Sequence, residues 1–121
     1  MTNRGFITGV SGLILNDAER EFIRAERPWG FILFKRNIES PAQVAALIGE
    51  LRKAAGMAEA PVLIDQEGGR VQRLGPPHWP VYPPGASFGA LYDIDPKLGL
   101  AAARLSSRLI AADLIDLGIS V

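Results

Sequence analysis

Two short, unbroken apolar runs, Gly30–Phe34 and Pro61–Ile64, each end abruptly in charged and amide residues. Strands covered on both faces read as continuous apolar runs, which is the pattern of a parallel sheet flanked by helices. Between them, Ser40-Pro41 is a helix start, a capping hydroxyl followed by proline at the first helical position. Val44, Leu47, Ile48, Leu51 and Ala55 follow at helical spacing until Gly56 stops them. Upstream, Phe6–Val10 reads as a first strand. Asn16 and Glu19 then open a helix in capping-box style, with Ala18, Phe22 and Ala25 inward, ending at Glu26 before Pro28. Asp65 to Tyr92 reads as a long connection rich in proline and glycine, of the kind that carries function in compact domains. Asp95-Pro96 opens a further helix with Leu98, Ala102, Leu105, Leu109 and Ala112 on one face, and Gly118 closes it. Ile119-Ser120-Val121 reads as the start of a fourth strand. The order βαβαβαβ implies a parallel sheet with right-handed crossovers. Periodicity leaves open whether that sheet is doubly wound or part of a (β/α)8 barrel.

Composition narrows the function classes. The chain of 121 residues is read as one domain, 1–121, and its 13 basic and 13 acidic residues cancel. A balanced charge offers no general attraction to nucleic acid, so no nucleic-acid partner is expected. The absence of cysteine excludes disulfides, thiolate zinc sites and thiol catalysis. Met1–Val10 lacks the apolar core of a signal peptide, and no segment approaches the ~20 apolar residues of a membrane span. The expectation is therefore a cytoplasmic protein with no membrane partner.

The chemistry concentrates behind the Pro61–Ile64 run, in Ile64-Asp65-Gln66-Glu67-Gly68-Gly69-Arg70-Val71-Gln72-Arg73-Leu74. In α/β folds the loop past a strand's carboxyl end carries the site. A carboxylate accepts from two neighbouring hydroxyls, and a guanidinium donates in a fixed fork. Asp65 and Arg73 are thus suited to grip one polar ligand, with Gly68-Gly69 folding the backbone between them; the bland alternative is that they pair and brace the loop. Asp65 and Glu67 as a catalytic carboxylate pair are set aside, because the Gly-Gly turn argues against continued strand geometry. Glu67 and Arg70 read instead as an ion pair that braces the loop. A phosphate cradle at Gly68-Gly69-Arg70 is the weaker alternative, since the string fits neither nucleotide fingerprint.

The strings Gly30-Phe31-Ile32-Leu33-Phe34-Lys35-Arg36-Asn37, Asp65-Gln66-Glu67-Gly68-Gly69-Arg70-Val71-Gln72-Arg73 and Asp116-Leu117-Gly118-Ile119-Ser120-Val121 resemble the N-terminal part of family 3 glycoside hydrolases. The likeness is to the bacterial β-N-acetylhexosaminidases of that family. It implies an incomplete α/β fold, about four β/α units of a (β/α)8 TIM barrel. It implies a retaining enzyme that removes terminal β-linked N-acetylglucosamine, for example from peptidoglycan fragments or muropeptides during recycling. Asp65 and Arg73 match the family's substrate-binding positions in the −1 subsite. The family's Lys-His sugar ligands, Asp-His acid/base pair and nucleophilic Asp belong to later loops, and neither dipeptide occurs here. The chain alone is therefore expected to contribute no catalytic residue, to need no cofactor or metal, and to be inactive.

Other polar residues receive plainer readings. Lys35-Arg36-Asn37 ends the second strand, either shaping a substrate entrance or capping a solvated strand end. His78, the one histidine, is read as exposed or structural. Trp79 and Tyr82 either stack on a sugar or, more simply, anchor the Pro-rich loop. Four strands leave a sheet open, so the chain is expected to be a fragment that self-associates through unpaired edges. The competing reading is a sugar-binding module, or a half-barrel that assembles with a partner.

Overall fold

The computed structural model describes residues 2–121, which form two compact units. The first unit comprises the described residues up to Ile64 together with Leu117–Val121, and the second comprises Asp65–Asp116.

In the first unit, strands β1 (Arg4–Thr8), β2 (Pro28–Leu33) and β3 (Val62–Ile64) form a parallel sheet in the order β1-β2-β3. Helices α1 (Asp17–Glu26) and α2 (Pro41–Ala55) are the crossovers. Phe31, Ile32 and Leu33 pair in register with Val62, Leu63 and Ile64. The first strand starts two residues earlier than the apolar pattern predicts, at Arg4, whose amide donates to the Arg27 carbonyl at 2.9 Å. Beside β3, Ser120 N–H donates to the Val62 carbonyl at 2.9 Å and Ile64 N–H to the Val121 carbonyl at 3.0 Å. The chain end thus runs in backbone hydrogen bonding alongside β3, as the expected fourth strand would.

α2 follows its sequence signals throughout. Ser40 caps Gln43 N–H, Gly56 adopts the left-handed conformation, and Val44, Leu47, Ile48, Leu51 and Ala55 are all buried. They pack in one core with Ile23, Phe31, Leu33, Val62 and Ile119. α1 has the expected capping box but presents a different face. Ala18, Phe22 and Ala25 are exposed, and Ile23 is the buried residue. The polar residues on the inward side are all tied down: Glu19 accepts from Ser11 and Asn16 N–H, Arg20 reaches the Leu15 carbonyl and Glu50, and Glu26 pairs with Arg4. With its polar groups satisfied, that side can turn inward and bury Ile23.

At the end of β2, Lys35–Asn37 form a 3-10 turn. Asn37 is fully buried; its amide donates to the Val10 and Gly12 carbonyls and accepts from Phe34 N–H. Arg36 donates from Nε to the Val10 carbonyl and stacks over Phe34. These two residues tie the segment after β1 to the end of β2, a structural role beyond a solvated strand end.

The second unit departs most from the sequence pattern. The stretch read as one long connection contains strands β4 (Gln66–Gly68) and β5 (Val71–Gln72) in an antiparallel hairpin, and helix α3 (Gly85–Ile94). Helix α4 (Pro96–Leu117) follows and ends at Gly118, as predicted. Its inward face is not the leucine stripe: Leu98, Leu105 and Leu109 are each at least half exposed. The buried positions are Leu117 at its end and Gly99, where an added Cβ would lie 2.6 Å from the Tyr92 Cα, so α3 and α4 approach too closely there for leucine. None of the described helices is long and apolar enough to cross a membrane.

Candidate functional site

Where the apolar run of β3 ends, the next residue is Asp65, and the hairpin begins immediately after it. β4 alternates buried Gln66, exposed Glu67 and buried Gly68. The strand of the Pro61–Ile64 run stops at Ile64, and Gln66–Gly68 is a separate strand paired only with β5. Its alternation leaves Glu67 in solvent. Among the described residues Glu67 and Arg70 form no ion pair, and both are exposed, so the expected Glu67–Arg70 brace is absent.

The glycine pair is needed twice over. Gly68 and Gly69 have φ of +89° and +62°, a region that side chains resist. The Pro83-Pro84 backbone also closes onto them: a Cβ on Gly68 would lie 2.3 Å from the Pro83 carbonyl oxygen, and one on Gly69 2.8 Å from the Pro84 Cβ. Gly69 N–H donates to the Tyr82 carbonyl at 2.9 Å. That amide is therefore occupied, which removes a donor from the phosphate-cradle reading.

The residues predicted to bind substrate, Asp65 and Arg73, are brought together. Arg73 Nη2 donates to Asp65 Oδ2 at 2.9 Å, with the side chains 28% and 41% exposed respectively. Arg73 N–H also points to the Asp65 carbonyl at 3.3 Å. Asp65 Oδ1 has no partner among the described residues, and Arg73 Nε is buried without an acceptor. The pair thus braces the loop, with Asp65 Oδ1 left as a free acceptor beside a guanidinium whose exposed part is not its buried Nε.

Two glutamines that the sequence reading passed over hold this geometry. Gln66 Oε1 accepts from the Arg73 and Leu74 amides, each at 3.0 Å, and its Nε2 donates to the Leu74 carbonyl at 2.9 Å. Gln72 Nε2 donates to the Leu74 and Pro80 carbonyls, and its Oε1 accepts from Tyr82 N–H. The signal available in the sequence was the placement of two long amides six residues apart across a Gly-Gly turn, where they face each other in the hairpin.

The aromatic residues of the loop are anchors. Trp79 and Tyr82 are buried, and the Tyr82 hydroxyl donates to the Asp113 carboxylate on α4. Burial, reinforced by that carboxylate, pushes the Tyr82 phenol up to about 12. Neither ring is offered as a stacking platform for a sugar. His78 is exposed and sits edge-on to Trp79, with ring centroids 5.7 Å apart.

No family model matches the sequence. The chain is 39% identical over 115 residues to a β-hexosaminidase of Xanthomonas campestris pv. campestris, covering 95% of this chain and 34% of that protein. It is 42% identical over 117 residues to one of Xanthomonas axonopodis pv. citri, with the same coverage. It thus spans about a third of the length of the curated relatives it matches. Among solved structures, NagZ of Neisseria gonorrhoeae in complex with N-trifluoroacetyl-D-glucosamine superposes with a TM-score of 0.87 at 27% identity, over 97% of this chain and 35% of that one. A glycoside hydrolase family 3 β-N-acetylglucosaminidase from Paenibacillus sp. gives 0.79 at 34% identity, over 95% and 21%. The sequential β1-β2-β3 order and these matches resolve the alternative left open by periodicity: the fold is a portion of a (β/α)8 barrel.

Proposed function

We propose that this chain is the N-terminal part of a glycoside hydrolase family 3 catalytic domain of the β-N-acetylhexosaminidase type and supplies part of its −1 sugar subsite, a reading supported by the likeness of nearly the whole chain to about a third of β-hexosaminidases. The activity is hydrolysis of terminal β-linked N-acetylglucosamine with retention of configuration, on peptidoglycan-derived glycans. Asp65 and Arg73 are the substrate-binding residues. The observation that carries this reading is their juxtaposition: a carboxylate 41% exposed with one oxygen unpartnered, beside a guanidinium that is itself 28% exposed. A ring hydroxyl bridging the two would donate to Asp65 and accept from Arg73.

The groups that break the glycosidic bond come from elsewhere. Retaining chemistry needs a nucleophilic carboxylate and an acid about 5–5.5 Å apart, flanking the anomeric carbon. Asp65 is engaged by Arg73, and Glu67 stands in solvent on β4 with no ion-pair partner among the described residues. The test is a chromogenic β-N-acetylglucosaminide incubated with the 121-residue chain, alongside titration with N-acetylglucosamine. The expected outcome is saturable sugar binding without turnover. Turnover that disappears in Asp65→Ala would overturn the division between gripping here and cutting elsewhere.

A further inference from the structure

Gln66 is the least conspicuous polar residue of the hairpin and the most constrained. Only 8% of it is exposed, and both ends of its amide are used. All three of its hydrogen bonds end on consecutive backbone groups of Arg73 and Leu74, at 2.9–3.0 Å. Without them, the Arg73 backbone amide would keep only the 3.3 Å approach to the Asp65 carbonyl.

We propose that Gln66 is a positioning residue: it holds Arg73 in register with Asp65, so that sugar affinity at the pair depends on an amide that touches no sugar. The inference rests on the reading of Asp65 and Arg73 as the sugar-gripping pair. The geometry demands glutamine in particular. Two N–H groups converge on one oxygen while a carbonyl faces the nitrogen, so the side chain must accept at one end and donate at the other. Glutamate matches the length but loses the donor and sets a buried charge against the Leu74 carbonyl. Methionine matches the bulk and loses all three bonds, leaving two buried amides and a carbonyl without Gln66. Displacing Arg73 by an ångström would misalign its fork, because hydrogen bonds to a ring of hydroxyls are directional.

Gln72 is the internal comparison. It faces Gln66 across the hairpin and also makes three bonds, but two of them go to Pro80 and Tyr82 rather than to Arg73. Loss of either amide should loosen the loop, whereas only loss of Gln66 should disturb the grip.

The experiment is a titration of the 121-residue chain with N-acetylglucosamine by amide-detected NMR, in wild type, Gln66→Met, Gln72→Met, Arg73→Lys and the Gln66→Met/Arg73→Lys double variant. Gln66→Met should raise Kd about tenfold or more, Gln72→Met by no more than about twofold, and Gln66→Met should add little once Arg73 is already lysine. A Kd within about twofold of wild type in Gln66→Met, or the same fold-loss in both Arg73 backgrounds, would overturn the proposal. If Gln66→Met does not fold, the isosteric Gln66→Glu takes its place under the same criteria. A wild-type chain that binds no sugar would defeat the underlying functional reading instead. In that case amide exchange decides the positioning role: Arg73 and Leu74 should exchange at least about tenfold faster in Gln66→Met than in Gln72→Met, and equal rates would overturn it.

Discussion

The two units of this chain are held together by different physics. In the first, α1, α2 and the parallel sheet share an apolar core in which Phe31, Leu33, Val44, Leu51 and Val62 are almost wholly buried. In the second, Leu74, Trp79 and Tyr82 are the buried large side chains, α3 buries nothing, and side-chain-to-backbone hydrogen bonds from Gln66 and Gln72 carry the hairpin. Apolar burial is non-directional and tolerates small shifts, whereas hydrogen bonds fix angles as well as distances. The contrast gives the first unit an apolar core and the second directional control of the Asp65–Arg73 pair.

The largest expected effects test the apolar side of that contrast. Phe31→Ala should cost about 3–5 kcal/mol in chemical denaturation, because it opens a cavity in a core with no room to collapse. A loss below about 1 kcal/mol would mean the first unit is not held by its core. Next comes Gly68→Ala, which places a Cβ against the Pro83 carbonyl at positive φ and should cost about 1–3 kcal/mol. That variant should abolish sugar binding by a shift of the hairpin, read as loss of the Gly69 and Tyr82 amide signals from their native positions. A smaller effect comes from the α1 cap: Asn16→Ala should cost about 1 kcal/mol while leaving sugar affinity unchanged.

The pH dependence should be smallest. Burial raises the Glu19 carboxyl, but hydrogen bonds from Ser11 and Asn16 outweigh it and set the group below its ordinary value of 4.5. A carboxyl lowered by folding contributes stability that is complete above 4.5 and is lost as pH falls through the lower folded value. Glu19→Gln should therefore flatten part of the acid limb of the stability curve. An unchanged acid limb would show that these bonds are not maintained in solution.

How much was legible in the sequence follows the same division. In α2 every signal agreed: cap, proline, apolar period and terminal glycine all marked one helix, and the structure has it. The α1 face was misread because Glu19, Arg20 and Glu26 find partners at Ser11, Glu50 and Arg4, and pairing of that kind leaves no trace in an apolar pattern. In α4 the leucines drew attention to the wrong face, since close approach to Tyr92 selects glycine. The hairpin was hidden because strands of three and two residues show no period, and Gly-Pro density reads as loop. For the site, the pairing of Asp65 and Arg73, the plainer alternative read from their types and spacing, is what the structure shows. Gln66 and Gln72 left only their spacing across the Gly-Gly turn as a signal, because their role lies in backbone groups that the hairpin brings to them.

The most direct test of the account is a titration of the wild-type chain and Asp65→Asn with N-acetylglucosamine, following the Arg73 and Leu74 amide resonances. The account predicts saturable shifts in wild type and none in Asp65→Asn at the same sugar concentrations, with both chains folded. Equal saturable shifts in the two chains would contradict it.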